Sequence, residues 1–446
     1  MTIAMTTDRV PKGARELCTP TDEEAKRLAE IVERVAAKTK LAAAKFPETR
    51  AVVLGGSFAK GTWLPREADI DIFVKLSPDI DEARFEEVGL KVGLEATKGY
   101  PRGKKYAQHP YTEARVEGVV VNIVPCYDVQ AGQWKSAADR SPFHVELVKT
   151  RLSEAQKLDV RLLKKFMKGV GVYGAEIEKE GFSGYACEVL VLEHGSFVDV
   201  LKHFIHLKAV APDRLLTLPD PVDERRDLAK AISNEIVARL VLAARAYLKR
   251  PTLQFFLGKT GKKRPNLQAH VIGITFTHRE SSEDILWGEL KRTMKHLSGH
   301  IKRAGFALAR TAIASDDRRE SAFLILPEVR ELSAIEKRLG PSVVMEREAN
   351  EFLAKNSKRA KLVWVGEAGQ VQILQNRDEV RLSDFLRRMV RGEIAKMGGS
   401  PTISRAIAKN GKVIEGRPLL RAAKRKGWLS AGLNDIVSDT LGTRPG

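Results

Sequence analysis

The stretch 67-EADIDIFV-74 puts Asp69 and Asp71 two positions apart in a run that is otherwise apolar and β-forming. On a strand, residues i and i+2 project to the same face, so the two carboxylates share one face while Ile70 and Ile72 take the other. Like charges placed so close repel each other. Either the face is solvated, or a divalent cation belongs between them. Just upstream, 55-GGS-57 can expose backbone N–H groups at a helix start, a cradle suited to phosphate.

The rest of the chain bounds what such a strand can serve. Its 446 residues suffice for about two to four domains, and 43% hydrophobic with 30% charged residues is a globular composition. No apolar run approaches the ~18 residues of a membrane span. The opening MTIAMTTDRVPKG lacks the apolar core of a signal peptide, so the expected location is cytoplasmic, with no membrane partner. Cys18, Cys126 and Cys187 form no CxxC pair, which argues against disulfides and structural zinc. A net charge of +19 favours a polyanionic partner such as nucleic acid, although basic proteins also use charge merely to stay apart.

Periodicity divides the chain. Residues 21–46 read as one amphipathic helix on Leu28, Ile31, Val32, Val35 and Ala36, with Thr21 and Glu24 as a capping box. A buried strand from residue 51, the strand 69–76, a helix near 81–97 and a strand 116–127 predict an α/β domain over the first ~150 residues. From 153 to about 250 the pattern is helical: Leu162, Leu163, Phe166, Met167 and Val170 form a stripe, with Lys164 and Lys168 off it. Residues 258–266 are a linker by composition. Beyond it, strand 269–278, helix 283–306 and strand 321–329 are ferredoxin-like in outline. The last hundred residues are helix-rich and basic. Phe385 and Trp428 could stack on a base, with core packing as their plainer fate.

A Gly-Gly-Ser turn followed by Asp-x-Asp on a strand is the arrangement of polymerase-β-like nucleotidyltransferases. With 106-YAQHPY-111, 119-VVVNIVPCYDV-129, 136-SAADRSPFH-144, 181-GFSGYACEVL-190, 195-GSF-197 and 220-DPVDERRD-227, the chain closely resembles the archaeal-type, class I CCA-adding tRNA nucleotidyltransferases. The resemblance implies an α+β multidomain protein. Its parts would be a catalytic head with a mixed sheet (1–150), a helical nucleotide-binding neck (151–257), a ferredoxin-like body (266–345) and a basic tRNA-binding tail (346–446). It implies template-independent addition of C, C and A to the tRNA acceptor arm from CTP and ATP with two Mg2+, and leaves a homodimer open. Carried over, Asp69 and Asp71 would bind Mg2+; Gly56, Ser57 and Lys60 would face the triphosphate, Lys60 replacing the family's usual arginine. His144, Lys164 and Tyr173 would contact phosphates or sugar, Arg226 would read the base edge, and His109 would lie in the pocket wall. Each has a plainer reading: a turn histidine, a helix lysine, a core tyrosine, an arginine paired with Asp223 or Asp227.

The family's third carboxylate falls at Asn122. An amide oxygen can still ligate Mg2+, but it carries no charge and accepts no proton at neutral pH. Val120 and Val124 offer no replacement, and Asp128 lies beyond Pro125. Losing that charge is expected to cost on the order of 3–4 kcal/mol at the transition state. The expected function is therefore CCA addition with weakened turnover. The alternatives are a catalytically impaired tRNA- or nucleotide-binding homologue with a regulatory or protective role, and a nucleotidyltransferase acting on another RNA acceptor.

Overall fold

A computed structural model describes residues 10–258 and 265–439, in two compact units parted between residues 260 and 261. Most of the expected 258–266 linker lies outside the described residues. No described helix is long and apolar enough to cross a membrane.

The first unit opens with α1 (Lys12–Cys18) and α2 (Asp22–Ala43). Thr21 caps α2 by accepting from the Glu24 N–H at 3.2 Å. Only that half of the expected capping box forms as proposed. The Glu24 carboxylate instead accepts from the Arg66 N–H at 2.6 Å, tying the helix to the loop before the aspartates.

The head sheet contains β1 (Thr49–Gly55), β2 (Ile70–Leu76), β3 (Arg102–Tyr106), β4 (Pro110–Val116) and β5 (Val119–Tyr127), in the order β1-β2-β5-β4-β3. β2 and β5 run parallel and the other pairs antiparallel. The expected single strand over 116–127 is in fact the end of β4, a tight turn at Glu117-Gly118 and β5. Both turn residues have positive φ, 52° and 85°, as a two-residue hairpin requires. β3, sequence RGKKY, went unforeseen because it is an exposed polar edge without alternation; its basic residues discourage pairing with another chain.

Between the strands lie α3 (Gly56–Lys60) and α4 (Glu82–Ala96). Ile70, Ile72, Val74, Val121, Ile123 and Ala114 pack with residues of α2 and α4 into the head core. The opposite face carries Asp71 and Phe73 on β2, Asn122 on β5 and Glu113 on β4, because alternation leaves nowhere else for them. That face explains the paired glycines. A Cβ at Gly55 would fall 2.2 Å from the Phe73 ring, and one at Gly56, whose φ is +68°, 2.1 Å from Asp71 Oδ2.

The helices α5 (Ser141–Arg151), α6 (Glu154–Gly169), α7 (Gly184–His194), α8 (Phe197–Ile205) and α9 (Asn234–Lys249) follow, with a small ribbon of β6 (Pro219–Asp220) and β7 (Asp223–Asp227). They enclose a separate core built on Leu163, Phe166, Phe197, Leu240 and Tyr247. Cys18, Cys126 and Cys187 are buried and free.

In the second unit, β8 (Ile272–Thr277), β9 (Leu308–Ser315), β10 (Glu320–Pro327) and β14 (Lys412–Glu415) make an antiparallel sheet ordered β14-β8-β10-β9, the ferredoxin-like order. Its fourth strand thus comes from well beyond residue 345, where the body was expected to end. The intervening chain forms a second sheet, β11 (Ile335–Ser342), β13 (Gln370–Asn376) and β12 (Ala360–Val365), in that order. Phe385 is core and Trp428 packs against a neighbouring one.

Gly56→Ala meets both an unfavourable φ and the Asp71 carboxylate. It is expected to destabilise the chain by about 1–3 kcal/mol, read as a lower urea midpoint. An unchanged midpoint would contradict this packing.

Candidate active site

Asp71 is the half-buried member of the acid pair, and Asp69, one residue before β2, stands exposed at its entrance. Burial pushes the Asp71 carboxyl above its ordinary value, against a hydrogen bond from Asn122 and the charge of Lys60, which pull it down. Desolvation, then Asp71, then Glu113 push the Asp69 carboxyl up as well. Asn122 Nδ2 donates to Asp71 Oδ1 at 2.9 Å, and its Oδ1 is buried with no hydrogen-bond partner. Two crowded carboxylates and an orphaned amide oxygen are hard oxygen donors short of positive charge. They fit a divalent cation such as Mg2+.

Across from them is a buried ionic knot. Lys60 Nζ donates to Glu188 Oε2 at 2.5 Å, Lys164 Nζ to Glu188 Oε1 at 3.0 Å, and Thr62 Oγ1 to Glu188 Oε1 at 2.5 Å. Lys164 Nζ also donates to the Thr62 carbonyl at 3.1 Å, and Arg161 of α6 to the Gly61 carbonyl at 2.7 Å. The loop after α3 is therefore gripped by α6 and α7. Burial would raise the Glu188 carboxyl, but Lys164 and Lys60 outweigh it and hold it down at about 2. Lys164, expected off the apolar stripe of α6, is instead only 3% exposed, because Glu188 makes its burial tolerable. Tyr173 joins this group: a Cβ on Gly184 would lie 3.1 Å from the Tyr173 hydroxyl and 3.4 Å from Lys164 Nζ.

A second hub is Asp220, whose side chain is fully buried. It accepts from Tyr185 at 2.9 Å, from Arg226 at 3.1 Å and from the Val222 N–H at 3.0 Å, and lies 3.1 Å from His144 Nε2. Burial opposes its ionisation, yet these partners bring it down to about 2. His144 stacks on Tyr185 with ring centroids 3.7 Å apart, and burial lowers its own pKa despite Asp220. It is thus neutral at pH 7, its Nε2–H facing Asp220. Arg226 pairs with Asp220 and with neither expected partner: Asp223 is taken by Arg140 at 2.7 Å and Asp227 by Arg214.

Two clefts border these groups. One of about 920 Å³ is lined by Asp69, Arg115, Val120 and Lys165, and one of about 810 Å³ by Trp134, Arg140 and Arg226. His109 is set apart from the acids. It packs edge-on against Phe85 of α4, with Nδ1 3.4 Å from Glu86 and 3.6 Å from Glu82.

Comparison with known proteins places this geometry. Residues 38–152 match the family model described as a nucleotidyltransferase domain, 158–257 the second domain of tRNA nucleotidyltransferase, and 268–416 the C-terminal domain of the CCA-adding enzyme. The CCA-adding enzyme of Pyrobaculum neutrophilum is 36% identical over 409 residues, covering 89% of this chain and 95% of that one. Those of Saccharolobus shibatae and Sulfolobus acidocaldarius are 34% and 36% identical, over 83% and 84% of this chain and 89% and 90% of theirs.

The chain belongs to the CCA-adding enzyme family.

As a CCA-adding enzyme of the class I, archaeal type, its head has the polymerase-β-like nucleotidyltransferase fold. Glu188 and Asp220 are the residues that the sequence reading missed. Both sat within quoted blocks, GYACEVL and DPVDERRD, but a lone acid in an apolar helix or a turn carries no signal of its own. The substitution of Lys60 for the usual arginine also acquires a setting, since its ammonium meets a single Glu188 oxygen as a point charge.

Glu188→Gln would leave two buried ammonium groups facing an amide. It is expected to destabilise by about 3–5 kcal/mol at pH 7. Because the folded value of Glu188 lies below its ordinary 4.5, its contribution is present above that pH and is lost as the pH falls through about 2. Urea unfolding across this range should show a shallower acid loss in the variant than in the parent. Equal acid limbs would contradict the ion cluster.

Proposed function

We propose that this chain adds C, C and A to the 3′ end of tRNA, using CTP and ATP, with Mg2+ at Asp69, Asp71 and Asn122. The observation that carries the reading is the crowded pair Asp69 and Asp71, both with raised carboxyl pKa, beside the buried lysines Lys60 and Lys164, in a chain a third identical to curated CCA-adding enzymes along most of its length. Mg2+, when bound, neutralises charge on the acids and polarises phosphate oxygens.

The chain's own groups do the rest. Lys60, Lys164 and the Tyr173 hydroxyl hold the triphosphate, with Gly56 and Ser57 admitting it close to β2. Glu188 keeps the two ammonium groups in place. Neutral His144, with Nε2–H turned to Asp220, presents Nδ1 as an acceptor for a sugar hydroxyl. Asp220 likewise aims Arg226 at the base edge. His109, bracketed by Glu82 and Glu86, shapes the far wall rather than touching the acids. In the reaction the 3′-hydroxyl oxygen bonds to the α-phosphorus and the bond to the bridging oxygen breaks. Pyrophosphate leaves, and the hydroxyl proton passes to water. The basic body and tail supply RNA-backbone contacts, as the +19 net charge favours.

A tRNA trimmed of its terminal CCA should gain three nucleotides with CTP and ATP, and Asp71→Asn should lower that rate by at least about 100–1,000-fold. The raised Asp71 pKa adds a second sign. A carboxyl whose folded value is raised weakens the fold as pH rises through that value. Without added metal at pH 7, Asp71→Asn should therefore melt no lower than the parent. Full activity in the variant, or a drop of several degrees in melting, would contradict the site.

A further inference from the structure

Asn122 leaves β5 without a carboxylate on the face that carries Asp71, but β4 provides one. Glu113 opposes Asn122 in the antiparallel ladder, just as Asn122 opposes Asp71 in the parallel one. Directly opposed residues project to the same face with Cβ atoms about 4.5–5.5 Å apart. Asp71, Asn122 and Glu113 thus form one row across three adjacent strands.

We propose that Glu113 supplies the third carboxylate of the catalytic cation site, in place of the acid absent at Asn122. The inference rests on the nucleotidyltransferase reading above. Several observations converge on it. The partner of Glu113 is Lys105, with Nζ 3.9 Å from Oε1 and both side chains more than a third exposed. A pair so long and so wet holds a side chain weakly, leaving it able to turn along the row. Glutamate also has one methylene more than aspartate, the extension needed to reach the site from one strand further away. As they stand, Asp69, Asp71 and Glu113 do not all converge within 4.8 Å, so the Glu113 side chain must rotate toward β5. Asn122 then orients Asp71 through its Nδ2 and offers its buried Oδ1, while the missing charge comes from β4. The weakened turnover expected from Asn122 counted β2 and β5 alone. With Glu113 in the set, turnover need not be weak.

The test is a Mn2+ titration of the full chain, following free Mn2+ by electron paramagnetic resonance, alongside CTP incorporation into trimmed tRNA. Glu113→Gln should weaken Mn2+ binding by about tenfold or more and slow incorporation by about 100-fold. Adding Asn122→Asp to that variant should restore both, since an acid on β5 makes the one on β4 redundant. Lys105→Met should leave Mn2+ affinity unchanged, which separates a cation ligand from half of a surface ion pair. The inference is overturned if Glu113→Gln binds Mn2+ like the parent, if Asn122→Asp fails to rescue it, or if Lys105→Met reproduces its loss. Asp71→Asn distinguishes the levels. If that variant also keeps parental affinity, the cation site itself is wrong and both readings fall. If it loses affinity while Glu113→Gln does not, only the role of Glu113 falls.

Discussion

A desolvated carboxylate, Asp71, set beside a second acid is the constraint on which the head depends. The sheet could have placed leucine at position 71, as it places isoleucine at 70 and 72 on the other face. It carries an aspartate whose ionisation burial opposes, next to a second acid that repels it. The same carboxylate dictates its surroundings: Gly56 is required because Asp71 Oδ2 occupies the space of its Cβ, and Asn122 points its amide nitrogen at Asp71. Such local conflicts within an otherwise consistent fold mark function.

The neck answers with charge of opposite sign, under equally strict control. Two lysines could not be buried against α7 by themselves. Glu188 makes this possible, one carboxylate serving both side chains, and the Lys60 charge still acts on Asp71. Asp220 plays a parallel role for His144, Tyr185 and Arg226. In both hubs a fully buried acid that touches no proposed substrate fixes the side chains that do.

Much of this was legible in the sequence, and the failures have physical reasons. Asp69 and Asp71 stood out because period-two alternation assigns them a shared face, and the amphipathic helices were legible from their apolar spacing. The hairpin from β4 to β5 was not, because its Glu-Gly turn sits between Val116 and the valine-rich run from Val119, so that 116–127 reads as one strand. β3 was invisible as a polar edge strand. The burial of Lys164 was not legible, since its neutralising partner lies in another helix and no local pattern links them. Glu113 passed unnoticed for a related reason: without the β4–β5 register, nothing connects it to Asn122. The fourth strand of the ferredoxin-like sheet was hidden by the length of chain inserted before it.

The central claim is that the acid face of the head sheet is where divalent cations gather. The most direct measurement is anomalous diffraction from crystals of the full chain grown with Mn2+ and CTP. The account predicts a peak against the carboxylates of Asp69 and Asp71. A strong peak only at Glu82, Glu86 and His109, the one group of three candidate ligands that converges within 4.8 Å among the described residues, would contradict it.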